Sequence, residues 1–238
     1  TKSVMNVLVT GNNGYVGTVL TELLLKNGYK IAGFDINFFE SCKLEPLDHN
    51  FRQITKDIRT IDKNDVAGFD AVIHLAGLSN DPLGELNPKL TEEINFQGTI
   101  NLARLAKKAG IKRFVYASSQ SMYGISDTDS ELDEEDSEKN PVTSYAKTKW
   151  DAELFLRSIA DSDFLVTCFR PSTVFGFSPK LRCDIVYNYF VACAYTTGKI
   201  EVKSDGTPWR PVIHVEDVCS AFLAGIEAPR DLVADQSF

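Results

Sequence analysis

Short apolar runs alternate with longer amphipathic stretches along the chain as far as residue 169. The runs are rich in β-branched residues, as buried parallel strands are, and they lie at residues 4–10, 29–35, 51–55, 71–75, 113–117 and 165–169. Helical periodicity between the runs is clearest at residues 15–26, 90–109 and 144–160. This alternation predicts βαβ units, and therefore an α/β fold with a doubly wound parallel sheet.

The alternation loosens after residue 171. A helical stretch at 184–198 is followed by a short predicted strand, a turn at 204–206, and a strand that leads into a helix at 212–226. An acidic segment at residues 127–140 lacks apolar periodicity. Such a segment is typical of a solvated surface loop rather than of a binding element.

The bulk composition argues against several classes of protein. With 25 basic and 33 acidic residues the net charge is −8, which disfavours general binding of nucleic acid or of an anionic membrane and leaves room for a local basic phosphate pocket. No apolar run is long enough to span a bilayer. Residues 1–5 lead directly into the first strand without a visible signal peptide, so we expect a cytoplasmic protein.

Five cysteines stand singly, at Cys42, Cys168, Cys183, Cys193 and Cys219. Their number is odd, no Cys-x-x-Cys pair is present, and most lie in apolar runs. We therefore expect reduced core thiols, with no disulfide and no metal site.

A glycine-rich turn, TGNNGYVG at residues 10–17, joins the first predicted strand to the first helix. Glycines let a backbone turn tightly and approach a pyrophosphate, whose charge is met by N–H groups at the helix N-terminus. The spacing is G-x-x-G-x-x-G rather than the better-known G-x-G-x-x-G, and a plain tight turn is the alternative. The strand before it and the helix after it favour a dinucleotide site.

Two acidic positions follow the next strands. Asp35 ends the second one, where a carboxylate can accept both ribose hydroxyls of an adenosine and repel a 2′-phosphate; this favours NAD over NADP, and a turn-forming aspartate is the alternative. Asp57 and Ile58 lie just past the third strand, where a side chain can meet the adenine edge. A generic loop aspartate fits that spacing nearly as well.

Tyr145 and Lys149 lie four residues apart in a predicted helix, so they share one face. A tyrosine is a poor base at neutral pH, and a nearby ammonium lowers the pKa of its phenol, which allows it to relay a proton beside a transferring hydride. Ser118 and Ser119 stand at a strand end, on the edge where such sheets bind ligands. The alternative is a chance surface pair, which the preceding βαβ start disfavours.

These motifs together resemble the extended short-chain dehydrogenase/reductase family, in its nucleotide-sugar epimerase/dehydratase branch, over essentially the whole chain. The matching segments are TGNNGYVG (10–17), FDI (34–36), DIR (57–59), VIHLAG (72–77), NFQGTINL (95–102), RFVYASSQSMYG (113–124), SYAKTK (144–149), FRPSTVFG (169–176) and RPVIHVEDV (210–218). The resemblance implies a Rossmann domain at residues 1–171 that carries the catalytic set. It also implies part of a substrate-binding lobe at 172–238, apparently incomplete, whose strand and helix near 212–226 could return to the main domain.

The resemblance also implies roles for individual residues. Ser119, Tyr145 and Lys149 would be catalytic. The cofactor-binding residues would be Gly11, Asn13, Gly14, Tyr15, Val16, Gly17, Asp35, Ile36, Asp57, Ile58, Leu75, Ala76, Gly77, Ser79, Asn95, Ala117, Ser118, Tyr145, Lys149 and Pro171. The substrate-binding residues would be Ser119, Gln120, Thr173, Asn188 and Arg210. An arginine at position 210 suits a diphosphate because a guanidinium pairs bidentately with phosphate; an ordinary surface ion pair is the alternative.

Departures from the family pattern make some of the family's reactions less favoured than others. The family's sugar 4,6-dehydratases carry an Asp-Glu pair directly after the catalytic residue, whereas this chain has Gln120 and Ser121, which disfavours a dehydratase. Thr173 stands where many relatives carry an asparagine near the sugar.

Three hypotheses for the function follow. The leading one is an NAD-dependent nucleotide-sugar epimerase that acts through a transient keto sugar. The first alternative is an NAD(P)-dependent reductase or dehydrogenase of a nucleotide-linked keto sugar, and the second is a cofactor-binding scaffold without activity. Relatives commonly dimerise through two helices, here 90–109 and 144–160, so a homodimer is expected.

Overall fold

The computed structural model describes residues 4–45, 47, 50–79, 81–125, 131–202, 204–205, 211–234 and 236–238. Its strands are β1 (Asn6–Thr10), β2 (Lys30–Asp35), β3 (Arg52–Thr55), β4 (Ala71–His74), β5 (Arg113–Ala117), β6 (Leu165–Phe169), β7 (Thr173–Phe175), β8 (Val212–His214) and β9 (Gln236–Ser237). Its α-helices are α1 (Tyr15–Lys26), α2 (Asp81–Leu86), α3 (Pro88–Thr91), α4 (Gly98–Lys108), α5 (Ser144–Ile159), α6 (Val186–Thr197), α7 (Val215–Glu227) and α8 (Arg230–Val233). A π-helix at Glu92–Gln97 joins α3 to α4, and 3₁₀ turns lie at Glu40–Cys42, Ile58–Thr60 and Gln120–Tyr123.

The main sheet has the strand order β3-β2-β1-β4-β5-β6-β9, and every neighbouring pair is parallel. The predicted doubly wound parallel sheet is confirmed. Chain order reverses between β1 and β4, so the crevice beyond their carboxyl ends is the place where such a fold binds its ligand. Thr10 ends β1 in register with His74 of β4.

Two apolar layers cover the sheet. One contains the buried face of α4 and α5, including Leu102 and Leu156, and the other contains that of α1 and α7, including Leu20 and Phe222. Near-continuous burial of β1 and β4 on both faces explains why their sequences read as unbroken apolar runs.

The C-terminal elements lie against this same sheet. Helix α7 packs on α1, and β9 pairs with β6 through Ser237 and Cys168. Strands β7 and β8 form a separate two-stranded parallel sheet. Helix α7 and strand β9 are therefore part of the main sheet and of the helical layer that packs on it.

Some predicted boundaries were wrong. The first strand starts at Asn6 rather than at residue 4, and the helix predicted from 184 runs over Val186–Thr197. No strand forms at residues 199–202, where one was expected. The predicted continuous helix at 90–109 is three segments with the π-helix in the middle.

The expectation of core cysteines was also partly wrong. Cys168 and Cys219 are buried, but Cys42 and Cys183 are exposed and Cys193 is partly exposed. The three misassigned residues lie in a 3₁₀ turn, in an irregular segment and on α6, none of which packs on the main sheet with a fully buried face. All five are free thiols.

Candidate active site

The glycine-rich turn is built by close backbone approach. Gly11 has φ 73°, and a Cβ there would lie 2.7 Å from the backbone nitrogen of Ala76. A Cβ on Gly17 would lie 2.1 Å from the Gly11 oxygen. Gly14 is the N-cap of α1, no side chain caps this end, and no acidic residue stands in its first turn. The end of α1 thus presents bare N–H groups to an anion such as a pyrophosphate.

Asp35 is fixed beside this turn by two backbone bonds. One carboxylate oxygen accepts from Asn13 N at 3.1 Å, and the other accepts from Asn37 N at 2.9 Å. Each oxygen keeps a further lone pair, so the partly exposed carboxylate can still accept ribose hydroxyls. This geometry fits the adenosine end of NAD.

Asp57 is engaged by its own neighbour. Its carboxylate caps the 3₁₀ turn at Ile58–Thr60 and accepts from the backbone and the guanidinium of Arg59. These Arg59 bonds lower the pKa of Asp57. Ile58 is buried, and a Cβ on Gly98 would lie 3.2 Å from its side chain. An adenine contact at these two positions stays a prediction.

The loop after β4 is held from the π-helix. The buried Asn95 side chain accepts from Leu78 N and donates to Leu78 O, at 2.8 and 3.0 Å. A Cβ on Gly77 would lie 2.9 Å from Asn95 Oδ1 and 3.8 Å from Lys149 Nζ. Asn95 therefore shapes the channel wall by fixing residues 77–78 beside Lys149.

Ser119, Tyr145 and Lys149 meet at the carboxyl end of β5. The Lys149 ammonium donates to Ala117 O at 2.8 Å and lies 5.9 Å from the centre of the Tyr145 ring. The Ser119 side chain is close enough to Tyr145 to lower the pKa of its phenol, and its hydroxyl donates to Ser121 Oγ at 3.1 Å. Ser119 also accepts from Ser121 N, which makes it the N-cap of the turn at Gln120–Tyr123.

Burial dominates the electrostatics of this group. It lowers the pKa of Lys149 to about 8. It also raises the pKa of Tyr145, while the nearby Ser119 side chain and the charge of Arg182 lower it. The pKa of Tyr145 is therefore raised overall and not lowered as expected, because desolvation of the phenolate is the largest effect.

The predicted substrate-binding residues lie in several different elements of the structure. Asn188 accepts from Gly176 N and donates to Tyr15 Oη and Arg182 O, so its amide links α6 to the glycine turn. Thr173 stands in β7 and Gln120 in the turn after Ser119. Arg210 lies outside the described residues. The predicted roles of these residues in binding substrate stay predictions.

Arg182 is a site residue that the sequence analysis missed. Its guanidinium donates to Ser79 Oγ at 3.2 Å and is paired with Asp184. Its charge lowers the pKa values of both Tyr145 and Tyr15. The residue lies in an irregular segment before α6, where no periodicity marks it. The Arg-x-Asp spacing was its one sequence signal.

Two absences hold for the part of the chain that the structure describes. No group of three or more histidine, cysteine or acidic side chains there is arranged to hold a metal ion. No helix among the same residues has the length and apolar character needed to cross a membrane.

Comparisons with known proteins agree with this architecture. Residues 7–238 match the NAD dependent epimerase/dehydratase family. The chain is 30% identical to the N-acetyl-alpha-D-glucosaminyl-diphospho-ditrans,octacis-undecaprenol 4-epimerase of Escherichia coli O157:H7, over 90% of this chain and 60% of that protein. It is also 30% identical to the dTDP-D-glucose 4,6-dehydratase of Mus musculus, over 91% of this chain and 63% of that protein. Among solved structures, MoeE5 in complex with UDP-glucose and NAD matches with a TM-score of 0.80 and 28% identity, over 94% of this chain and 72% of that one.

The parallel sheet and the family match over residues 7–238 together define the class to which this chain belongs. It belongs to the NAD dependent epimerase/dehydratase family, which confirms the resemblance inferred from its motifs. The cofactor of this family is NAD, and the bare end of α1 together with Asp35 fits that cofactor. The chain spans 60% of the length of the Escherichia coli relative.

Proposed function

We propose that the protein is an NAD-dependent nucleotide-sugar epimerase that oxidises a sugar carbon transiently and reduces it on the other face. The observation that carries the proposal is the meeting of Ser119, Tyr145 and Lys149 beside a turn that fits a dinucleotide. Epimerases of nucleotide-linked or diphospho-linked sugars recur among the relatives.

The residues divide the proton chemistry between them. Bound NAD would supply the acceptor for a hydride from the sugar carbon and the donor that returns it. Tyr145 takes the proton of the sugar hydroxyl as the hydride leaves, and gives a proton back in the second half of the cycle. Ser119 donates a hydrogen bond to the reacting oxygen. Lys149, held by Ala117 O, stabilises the tyrosinate by its charge.

The residues after Ser119 favour epimerisation over dehydration. Elimination of water needs an acid and a base at the neighbouring carbons, and Gln120 and Ser121 supply neither. The Ser121 hydroxyl is instead a hydrogen-bond partner of Ser119. This supports an epimerase over a 4,6-dehydratase, although the family includes both.

The test is a panel assay with UDP-glucose, UDP-N-acetylglucosamine, UDP-glucuronic acid and dTDP-glucose, read by NMR for inversion at a sugar carbon. Deuterium at the inverted carbon should stay in the product, with no net accumulation of NADH at 340 nm. Tyr145→Phe should abolish turnover and leave NAD binding intact. Stoichiometric cofactor consumption would instead identify a reductase. Retained turnover in Tyr145→Phe would sink the assignment.

Two further parts of the proposal concern the assembly and its location. A homodimer through α4 and α5 follows from the family pattern, and sedimentation equilibrium measures it directly. A cytoplasmic site of action fits the nucleotide-sugar substrate and is checked by fractionation.

A further inference from the structure

A fully buried carboxylate lies next to the catalytic group. Glu153 has no exposed side-chain surface, and it accepts from Arg170 Nη2 at 2.6 Å, from Ser118 Oγ at 2.7 Å and from Ser237 Oγ at 2.6 Å. Arg170 Nε adds a longer bond at 3.2 Å. No step of the proposed reaction uses this carboxylate, and its four donors fill the acceptor positions of an ionised carboxyl group.

Glu153 lies on the same helix as the catalytic tyrosine and lysine. Tyr145, Lys149 and Glu153 stand at i, i+4 and i+8 of α5, and residues at this spacing follow one face of a helix. Whatever Glu153 binds is therefore placed at a fixed distance along the helix from Tyr145.

Ser118, which Glu153 binds, directly precedes the catalytic serine. Ser119 has extended backbone, with φ −160° and ψ 141°, and neighbouring side chains on extended backbone point to opposite sides. A bond that holds the Ser118 side chain toward Glu153 thus also fixes the direction in which the Ser119 side chain projects.

The ion pair fixes the far end of the same turn. The Nη1 atom of Arg170 donates to Tyr123 Oη at 2.7 Å and to Glu134 O at 2.6 Å. Tyr123 closes the 3₁₀ turn that Ser119 opens. Both ends of residues 118–123 are consequently tied to Glu153, one by Ser118 and the other through Arg170.

We propose that Glu153 is a positioning residue that holds Ser119 in place beside Tyr145. It touches neither substrate nor cofactor, and it acts by holding the Ser118 hydroxyl from the helix that carries Tyr145. This role rests on the proposed function in that Ser119 and Tyr145 act together on one sugar oxygen.

Two serines on the same carboxylate provide a matched pair of variants. Ser118→Ala removes the bond that faces the catalytic turn, and Ser237→Ala removes a bond of similar length that faces β9. Each loses one hydroxyl from one acceptor, so their thermal stabilities should fall by similar amounts. We expect kcat to fall about 10-fold or more in Ser118→Ala, which corresponds to about 1.4 kcal/mol, with KM and the NAD dissociation constant within about twofold, and no such fall in Ser237→Ala.

A spectroscopic readout keeps the test independent of turnover. With ¹³Cζ-labelled tyrosine, the Tyr145 resonance is assigned by its loss in Tyr145→Phe. It should move in Ser118→Ala, because Ser119, which lowers the pKa of Tyr145, is displaced, and it should stay in place in Ser237→Ala. If the wild type turns over none of the sugars, the proposed function fails while this comparison still decides the positioning role.

Three results would overturn the proposal. The first is an unmoved Tyr145 resonance in Ser118→Ala. The second is an equal loss of kcat per folded molecule in both serine variants, which would show a purely structural carboxylate. The third is weakened NAD binding in Ser118→Ala with kcat unchanged, which would show that Ser118 acts on the cofactor.

Discussion

The Lys149 ammonium lies 2.8 Å from the backbone oxygen of Ala117 and is 6% exposed, without a carboxylate among its hydrogen-bond partners in the described residues. A charge so placed costs free energy, because burial disfavours the ammonium form. In the proposed mechanism this is the place where a transferring hydride and a tyrosinate meet. On that mechanism, the free energy of folding lost by burying the charge is the cost of catalysis.

The first prediction follows from the pKa of Lys149, which burial lowers to about 8 from 10.5. Between these two values the unfolded chain binds more protons than the folded one, so the wild type gains stability as pH rises through this window. Lys149→Met removes the effect. We expect its unfolding free energy, relative to wild type, to fall by up to roughly 3 kcal/mol between pH 7 and pH 10.5, measured by urea denaturation.

Lys147→Met is the control for this prediction, since Lys147 is an exposed lysine on the same helix. It should show no comparable pH trend relative to wild type. A flat difference between Lys149→Met and wild type across the window would mean that the Lys149 charge carries no folding penalty.

The fold could be predicted because buried parallel strands leave an unambiguous pattern. The strands Arg113–Ala117 and Leu165–Phe169 are found at their predicted bounds, since both faces of each are covered. The π-helix at Glu92–Gln97 could not be predicted, because one wider turn changes the apolar period too little to see. Within this π-helix, the Asn95 side chain bonds the backbone of Leu78, a tertiary contact that the sequence pattern does not reveal.

Candidate site residues could be predicted where a reaction requires particular residue types at a fixed spacing. They could not be predicted where a residue acts through partners that only the fold brings near. The helical spacing of Tyr145 and Lys149 predicted that they share one face of a helix, and both lie in α5. Glu153 and Arg182 were missed, because their roles depend on partners distant in sequence. A buried carboxylate on a helix looks like any solvent-facing glutamate until the fold supplies its donors.

A second prediction concerns Arg182, whose charge lowers the pKa of Tyr145. Arg182→Gln should raise that pKa and slow turnover at neutral pH about fivefold, the effect of roughly 1 kcal/mol of lost charge stabilisation. The ¹³Cζ resonance of Tyr145 against pH measures the first effect, and steady-state kinetics measures the second. Arg157→Gln, at the far end of α5, serves as the charge-matched control; equal behaviour of the two variants would contradict the prediction.

A third prediction concerns the choice of cofactor by Asp35. Asp35→Asn keeps an acceptor for one ribose hydroxyl and removes the negative charge, so NAD should bind about tenfold more weakly while rejection of NADP is relaxed. Titration calorimetry with both cofactors measures this. Asp231→Asn on the exposed side of α8 should change neither affinity. Tighter binding of NADP than of NAD by the wild type would show that Asp35 does not bind the adenosine ribose.

A fourth prediction is that His74 remains neutral in a single tautomer. Its Nδ1 lies 2.6 Å from Thr10 Oγ1, and its Nε2 lies 2.8 Å from Thr99 Oγ1. Thr99 donates its hydroxyl proton to Asn95 O, so it can only accept from the imidazole. The proton must then be on Nε2, and Thr10, which accepts from Ala76 N, donates to Nδ1.

Burial lowers the pKa of His74 to about 3 from 6.5, and the charge of Lys149 adds to this. The neutral ring therefore contributes stability that is complete above pH 6.5 and is lost as pH falls toward 3. ¹⁵N-edited NMR should show a protonated Nε2 and a bare Nδ1, unchanged from pH 8 to pH 5. Thr99→Val deprives Nε2 of its acceptor and Asn95 O of its donor, so it should loosen the loop at residues 77–78 and raise amide exchange at Leu78. A His74 resonance that titrates above pH 5 would show that the ring becomes protonated in the folded protein, and would contradict the prediction.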